Sequence, residues 1–165
     1  MAHIHRTGAV IPKQFPVKLT SSVKTNDIPV GSLVAFESGY IIPVENFTWN
    51  TNEATTQLDF AAAFAGIASG ASDKDTPLDT RDHYIAVCQD GEVEFDCVSA
   101  DYLPGDFLTP NKAAGNALVQ TVEKTAVKNA AIAIVSEVKA GATRIRGYLC
   151  KTLPKRAQGV DLDVS

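Results

Sequence analysis

Three carboxylates recur at every second position, Glu92, Glu94 and Asp96. That spacing sets them side by side on one face of an extended strand. Paired carboxylates do acid–base work when a hydrophobic pocket or an enforced like-charge pair lifts one pKa. An outward strand face supplies neither; there such groups are solvated or matched by cations. Arg144 and Arg146 share the outward face of a later strand and are the natural counterparts. We therefore expect Glu92, Glu94, Arg144 and Arg146 to be subunit-interface charges, with no catalytic residue among them.

The other reactive residues make no constellation. Asp73, Asp75, Asp79 and Asp82 form the densest acidic cluster, but a calcium loop of the EF-hand type needs a central Gly and a terminal bidentate Glu. Lys74 and Arg81 neutralise part of that charge, so a solvated loop is expected. His3 and His5 alternate without a third ligand nearby, so no metal site is expected. His83 lies at a strand edge. No nucleophile elbow, P-loop or dinucleotide fingerprint occurs, and no cofactor is expected. Phe47 and Trp49 could mark a binding surface, although core packing is the commoner fate of lone aromatics.

These residues need a scaffold of strands. Residues 1–29 hold Pro12, Pro16 and Pro29 among polar residues, and proline removes backbone donors and disfavours helix. They read as an extended N-terminal arm, either disordered or laid across a neighbour, with Ile4, Val10, Phe15 and Val17 as its apolar anchors. A hairpin, Leu33–Glu37 and Tyr40–Val44, turns at Ser38-Gly39. Asn50 followed by Glu53 suggests an N-cap, and Ala54, Leu58, Ala61 and Ala62 recur at helical spacing, so a short helix is expected over 51–63. Gly66 stands where that helix would stop.

A polar loop over 69–84 precedes a second hairpin turning at Asp90-Gly91. In a two-residue-turn register, Tyr84, Ala86, Cys88, Val93, Phe95 and Cys97 face the core, and Ile85 and Val87 face out. That register holds Cys88 and Cys97 several residues apart on one face, so we expect free, buried thiols and a reducing compartment. Further strands are expected over Phe107–Thr109, Leu118–Glu123, Ala130–Val138 and Thr143–Leu149. Thr143, Ile145 and Leu149 should share the core face after a turn at Lys139–Ala142. Short strands with turn signals between them imply a mainly β fold, a small antiparallel β-barrel or sandwich with one short helix. The expected organisation is an arm (1–29), a β-rich core domain (30–150) and a C-terminal tail (151–165).

Composition agrees with one ordinary globular domain: 165 residues, 45% hydrophobic and 21% charged. The net charge of −4 offers no basic field, so no direct nucleic-acid partner is expected. Apolar runs such as Ala130–Val135 are far too short to span a bilayer, so no membrane partner is expected either. The N-terminus lacks the apolar core of a secretory signal, which points to synthesis in a cytoplasm.

The order of elements carries a resemblance. A capped helix leads into Phe64-Ala-Gly-Ile-Ala, then a polar loop, then Ile85–Cys88 and Asp90-Gly91-Glu92-Val93-Glu94-Phe95-Asp96-Cys97. A Pro-Gly-Asp turn follows, then Ala131–Val135 and Ala142-Thr143-Arg144-Ile145-Arg146-Gly147-Tyr148-Leu149. Over about residues 30–150 this succession resembles the capsid cement, or head decoration, proteins of tailed bacteriophages. The resemblance implies a non-enzymatic virion protein on the outside of the head, bound to the major capsid protein at local three-fold positions as a homotrimer. It implies no catalytic residue to carry over. The alternatives are a small trimeric β-barrel enzyme acting on nucleotides, or a β module binding a glycan or small ligand. The first would need a carboxylate cluster beside a phosphate-binding glycine loop, and no single stretch supplies both.

Overall fold

The computed structural model describes residues 4–7, 12–20, 23–73 and 84–150. In chain order the strands are β1 (Ile4–Thr7), β2 (Lys13–Pro16), β3 (Leu19–Thr20), β4 (Val23–Lys24), β5 (Leu33–Glu37) and β6 (Tyr40–Pro43). Helix α1 (Glu53–Ala63) runs directly into β7 (Phe64–Ala68). After it come β8 (Tyr84–Cys88), β9 (Glu92–Tyr102), β10 (Phe107–Lys112), β11 (Leu118–Thr125), β12 (Ala133–Val135) and β13 (Lys139–Leu149). The fold is mainly β, as the short strands and turn signals imply.

The C-terminal strands close into a five-stranded barrel in the order β9-β11-β10-β12-β13, with β13 pairing back onto β9. All its pairings are antiparallel except β11 with β9, which run parallel and meet at Val122 and Cys97. Ahead of that point the same edge of β9 is taken by β1, with Ile4 opposite Glu94 and His5 opposite Val93. Closure and this extra strand cover edges that would otherwise template aggregation. Of the remaining strands, β3 and β4 pair only with each other, and the others form a second sheet, β2-β8-β7-β5-β6, whose ends approach through a bridge between Val17 and Ile41.

Two hydrophobic clusters follow from this arrangement. Val93, Phe95, Leu108, Val122, Ile132 and Ile145 fill the barrel and continue onto Leu33, Ala35, Phe60, Phe64 and Ile67. Val17, Ile28, Val34, Ile41, Ala65, Ile85 and Val87 form the other. β5 serves both, since Leu33 and Ala35 point to the first cluster and Val34 to the second. A strand buried on both faces reads as an unbroken apolar run, which is why Leu33-Val34-Ala35-Phe36 shows no alternation.

Several local expectations are corrected. Asp90-Gly91 is no hairpin turn. It carries the chain from the second sheet to the barrel, so β8 pairs with β7 and β2 while β9 pairs with β13, β1 and β11. Ile85 and Val87 are buried and Tyr84 is exposed, the reverse of the expected β8 face. Burying two β-branched side chains removes more apolar surface from water than burying Ala86 and Cys88. Cys97 is buried as expected, Cys88 and Cys150 are half-buried, and all are free thiols.

The helix N-cap is Asn52 rather than Asn50: its Oδ1 accepts the Thr55 N–H at 2.9 Å. Asn50 instead accepts from the Thr51 N–H and donates to Asp59 Oδ2, at 2.7 Å each. Gly66 lies inside β7, not at a helix stop. The expected 130–138 strand is a 3-10 turn, Lys128–Ala130, followed by β12. Lys139–Ala142 belongs to β13, whose register shifts on either side of Ala142. That irregularity turns Thr143 outward, leaving Ala142, Ile145, Gly147 and Leu149 facing in.

Candidate functional site

The charges singled out by their spacing do meet, and they do so within one chain. β9 and β13 are antiparallel neighbours, with Asp96 opposite Arg144, Glu94 opposite Arg146 and Glu92 opposite Tyr148. Arg144 donates from Nε to Asp96 Oδ1 at 3.0 Å and from Nη1 to Glu94 Oε1 at 3.1 Å. Arg146 Nε lies 4.0 Å from Glu94 Oε2. Glu92 accepts from Ser136 Oγ at 2.6 Å, and the Arg146 N–H is taken by Glu137 at 2.9 Å. The side chains of Glu94 and Asp96 are only 12% and 8% exposed, whereas those of Arg144 and Arg146 are 47% and 45% exposed. The carboxylates thus form a floor and the guanidinium groups the accessible surface. Asp96 Oδ2 is buried without a hydrogen-bond partner among the described residues.

The four arm anchors scatter. Ile4 begins β1 against β9, and Val10 lies outside the described residues. Phe15 and Val17 are seated on this chain's own second sheet. Phe15 meets Phe36 edge-to-face at 4.9 Å between centroids, and Val17 is buried beside Ile41. The reason is main-chain pairing: β2 runs antiparallel to β8 and brings both residues over the second cluster. They therefore stabilise the subunit itself.

His5 lies in β1; His3, His83 and three members of the acidic cluster, Asp75, Asp79 and Asp82, are outside the described residues. Among the described residues no three His, Cys, Asp or Glu side chains are grouped to hold a metal ion. Trp49 is half-buried beneath Lys112, whose Nζ stands 5.2 Å from the ring centroid.

Glu123 is a carboxylate with a perturbed environment that the sequence reading passed over. Gln57 Nε2, from α1, donates to Glu123 Oε1 at 2.8 Å and to the Pro110 carbonyl at 2.9 Å. Burial pushes the Glu123 pKa up, opposed by the Gln57 hydrogen bond and reinforced by nearby Glu53. The arrangement clamps the helix to the barrel.

A second feature that escaped the sequence reading is the barrel end where β9 and β11 finish, β10 and β13 begin, and β12 finishes. Leu103 and Val127 follow β9 and β11, Val138 precedes β13, and they are 57%, 48% and 70% exposed. Around them Lys124 Nζ contacts Asp106 Oδ2 at 2.8 Å and Lys139 Nζ contacts Glu137 Oε1 at 3.5 Å. The Lys124 hydrogen bond and the Leu103 N–H hold the Asp106 carboxyl below the usual carboxylate range. Apolar residues within a polar, charge-paired rim have the composition of a protein-contact surface. The signal in the sequence was an apolar residue beside each of two polar connections, Leu103 before Pro104-Gly105-Asp106 and Val138 after Ser136-Glu137.

No protein-family model matches this chain, and no curated protein matches it. No helix among the described residues is long and apolar enough to cross a membrane.

Proposed function

We propose that this protein is a non-enzymatic capsid cement protein that binds the outer surface of a phage head at local three-fold positions and stabilises it. The order of sequence elements supplies the resemblance. The observation that carries the docking role is the barrel end, where Leu103, Val127 and Val138 are held out by turns of a closed, side-chain-filled barrel. A rigid barrel presents such residues without a large ordering cost, so modest apolar contact repeated over many sites gives durable attachment. On this reading the partner is the major capsid protein, and the chain works on the outside of the virion after synthesis in the host cytoplasm.

The test is co-sedimentation of the purified chain with mature heads stripped of small outer proteins. Saturable binding with a copy number matching the three-fold positions is expected. Leu103→Asp with Val138→Asp should abolish it while leaving the thermal unfolding midpoint within about 2 °C, because both residues are exposed. Heads that bind none of the wild-type chain would refute the proposal.

A further inference from the structure

Helix α1 meets the barrel through oxygen-bearing side chains. Glu53 and Gln57 stand one turn apart on α1, so they share a side of the helix. Facing them, Thr109 of β10 is the register partner of Glu123 of β11, and cross-strand partners project from the same face of a sheet. Gln57 fixes the Glu123 carboxyl by donating to Oε1 at 2.8 Å, and Glu53 hydrogen-bonds to that carboxyl from the preceding helical turn. Thr109 is 0% exposed, and its Oγ1 has no hydrogen-bond partner among the described residues.

Two features of this cluster call for a further group. Carboxyl groups that touch cannot both ionise unless a cation stands between them; otherwise one keeps a proton. A fully buried hydroxyl without a partner carries a desolvation penalty that native folds rarely leave standing. A shared proton answers the first and leaves the second, whereas a cation bound by both carboxylates and the Thr109 oxygen answers both. We infer that Glu53, Glu123 and Thr109 bind a hard divalent cation, Ca²⁺ by its chemistry, between α1 and the barrel. The donors are all oxygen, without His or Cys, a set that suits Ca²⁺ rather than a transition metal. Ca²⁺ takes about six to eight ligands at flexible angles, so water completes the shell where the half-buried Glu53 and Glu123 approach solvent. With only two carboxylates, the affinity belongs to the weak end of calcium sites, about 0.1–1 mM. The same count explains why no acidic motif marks the site in the sequence: its two carboxylates come from separate elements, and its third donor is neutral. The inference does not rest on head binding, which the stripped-head assay reads separately.

The experiment is thermal unfolding of the full chain at neutral pH, in chelator and with CaCl₂ up to about 10 mM, at ionic strength matched with NaCl. The midpoint should rise by about 3–10 °C with calcium. Glu53→Gln and Glu123→Gln should each abolish the rise. Thr109→Val keeps the buried shape and removes the unpaired oxygen, so in chelator it should be at least as stable as the wild type. It should nonetheless lose about tenfold or more in calcium affinity, a split that separates a ligand from a packing residue. A wild-type midpoint unmoved by CaCl₂, or a rise that survives both Gln variants, would overturn the inference. A chain indifferent to calcium whose midpoint falls as pH rises through neutrality would show a proton-sharing pair in its place, and overturn it too.

Discussion

Gly66 offers the sharpest test of how the two sheets are joined. Its φ is +135°, a region L side chains rarely adopt, and a Cβ built there would stand 2.1 Å from the Cys88 carbonyl oxygen. To reach ordinary contact, β7 and β8 must separate by about 1.3 Å. The neighbouring pairs, Ile67 with Cys88 and Ala68 with Val87, cannot survive that shift. Losing about two backbone hydrogen bonds costs on the order of 2 kcal/mol, and the backbone strain adds roughly 1–3 kcal/mol. Gly66→Ala should therefore lower unfolding stability by about 3–5 kcal/mol, a large share of the roughly 5–15 kcal/mol typical of a domain. Gly39 is the control: its φ is +86° but nothing lies within 4 Å of a built Cβ. Gly39→Ala should cost only about 1–2 kcal/mol from backbone conformation. Urea denaturation followed by Trp49 fluorescence measures both. Equal costs for the two variants, or a loss below about 1 kcal/mol for Gly66→Ala, would refute the close approach of β7 and β8.

Three further outcomes follow from the same geometry. Because burial raises the folded-state pKa of Glu123, its contribution to stability is present below the unfolded value and lost as pH rises through the folded one. Glu123→Gln should raise the thermal midpoint by about 1–2 °C at pH 7 and change little near pH 4, measured by calorimetry at both. Asn52→Ala removes the cap to the Thr55 N–H and should cost about 1 kcal/mol in urea denaturation. Burial pushes the Cys97 thiol pKa up, so timed alkylation read by mass spectrometry should modify Cys88 and Cys150 first and Cys97 only under denaturing conditions.

Local turn chemistry was legible where the chain is free to obey it. Ser38 and Gly39 both have positive φ, 51° and 86°, as a two-residue hairpin loop demands, and β5–β6 forms as read. Asp90-Gly91 carries the same signal, yet its flanks belong to different sheets, so tertiary pairing overrides it. Only the burial of Ile85 and Val87 together tells the two cases apart. The N-terminal prolines point to an extended arm; β2 is extended, but it pairs within the chain as the terminal strand of the second sheet, which tolerates Pro16 at its end. The charged residues were found by strand periodicity alone, since alternation survives any topology. Their pairing within the chain was hidden, because it depends on β13 returning beside β9 after some fifty residues. The barrel end was hidden for a related reason: Leu103, Val127 and Val138 converge only after closure.

The placement of β1 also sets a timetable for synthesis. Its first residue, Ile4, pairs with Glu94, so the strand leaves the ribosome about 90 residues before its partner exists, roughly 5–18 s at ordinary elongation rates. β2 waits similarly for β8, since Phe15 pairs with Ile85. During that interval the β5–β6 hairpin and α1 can form from local contacts, while both leading strands present unpaired backbone. These two strands wait longest for their partners, and the barrel itself closes only when β13 returns beside β9.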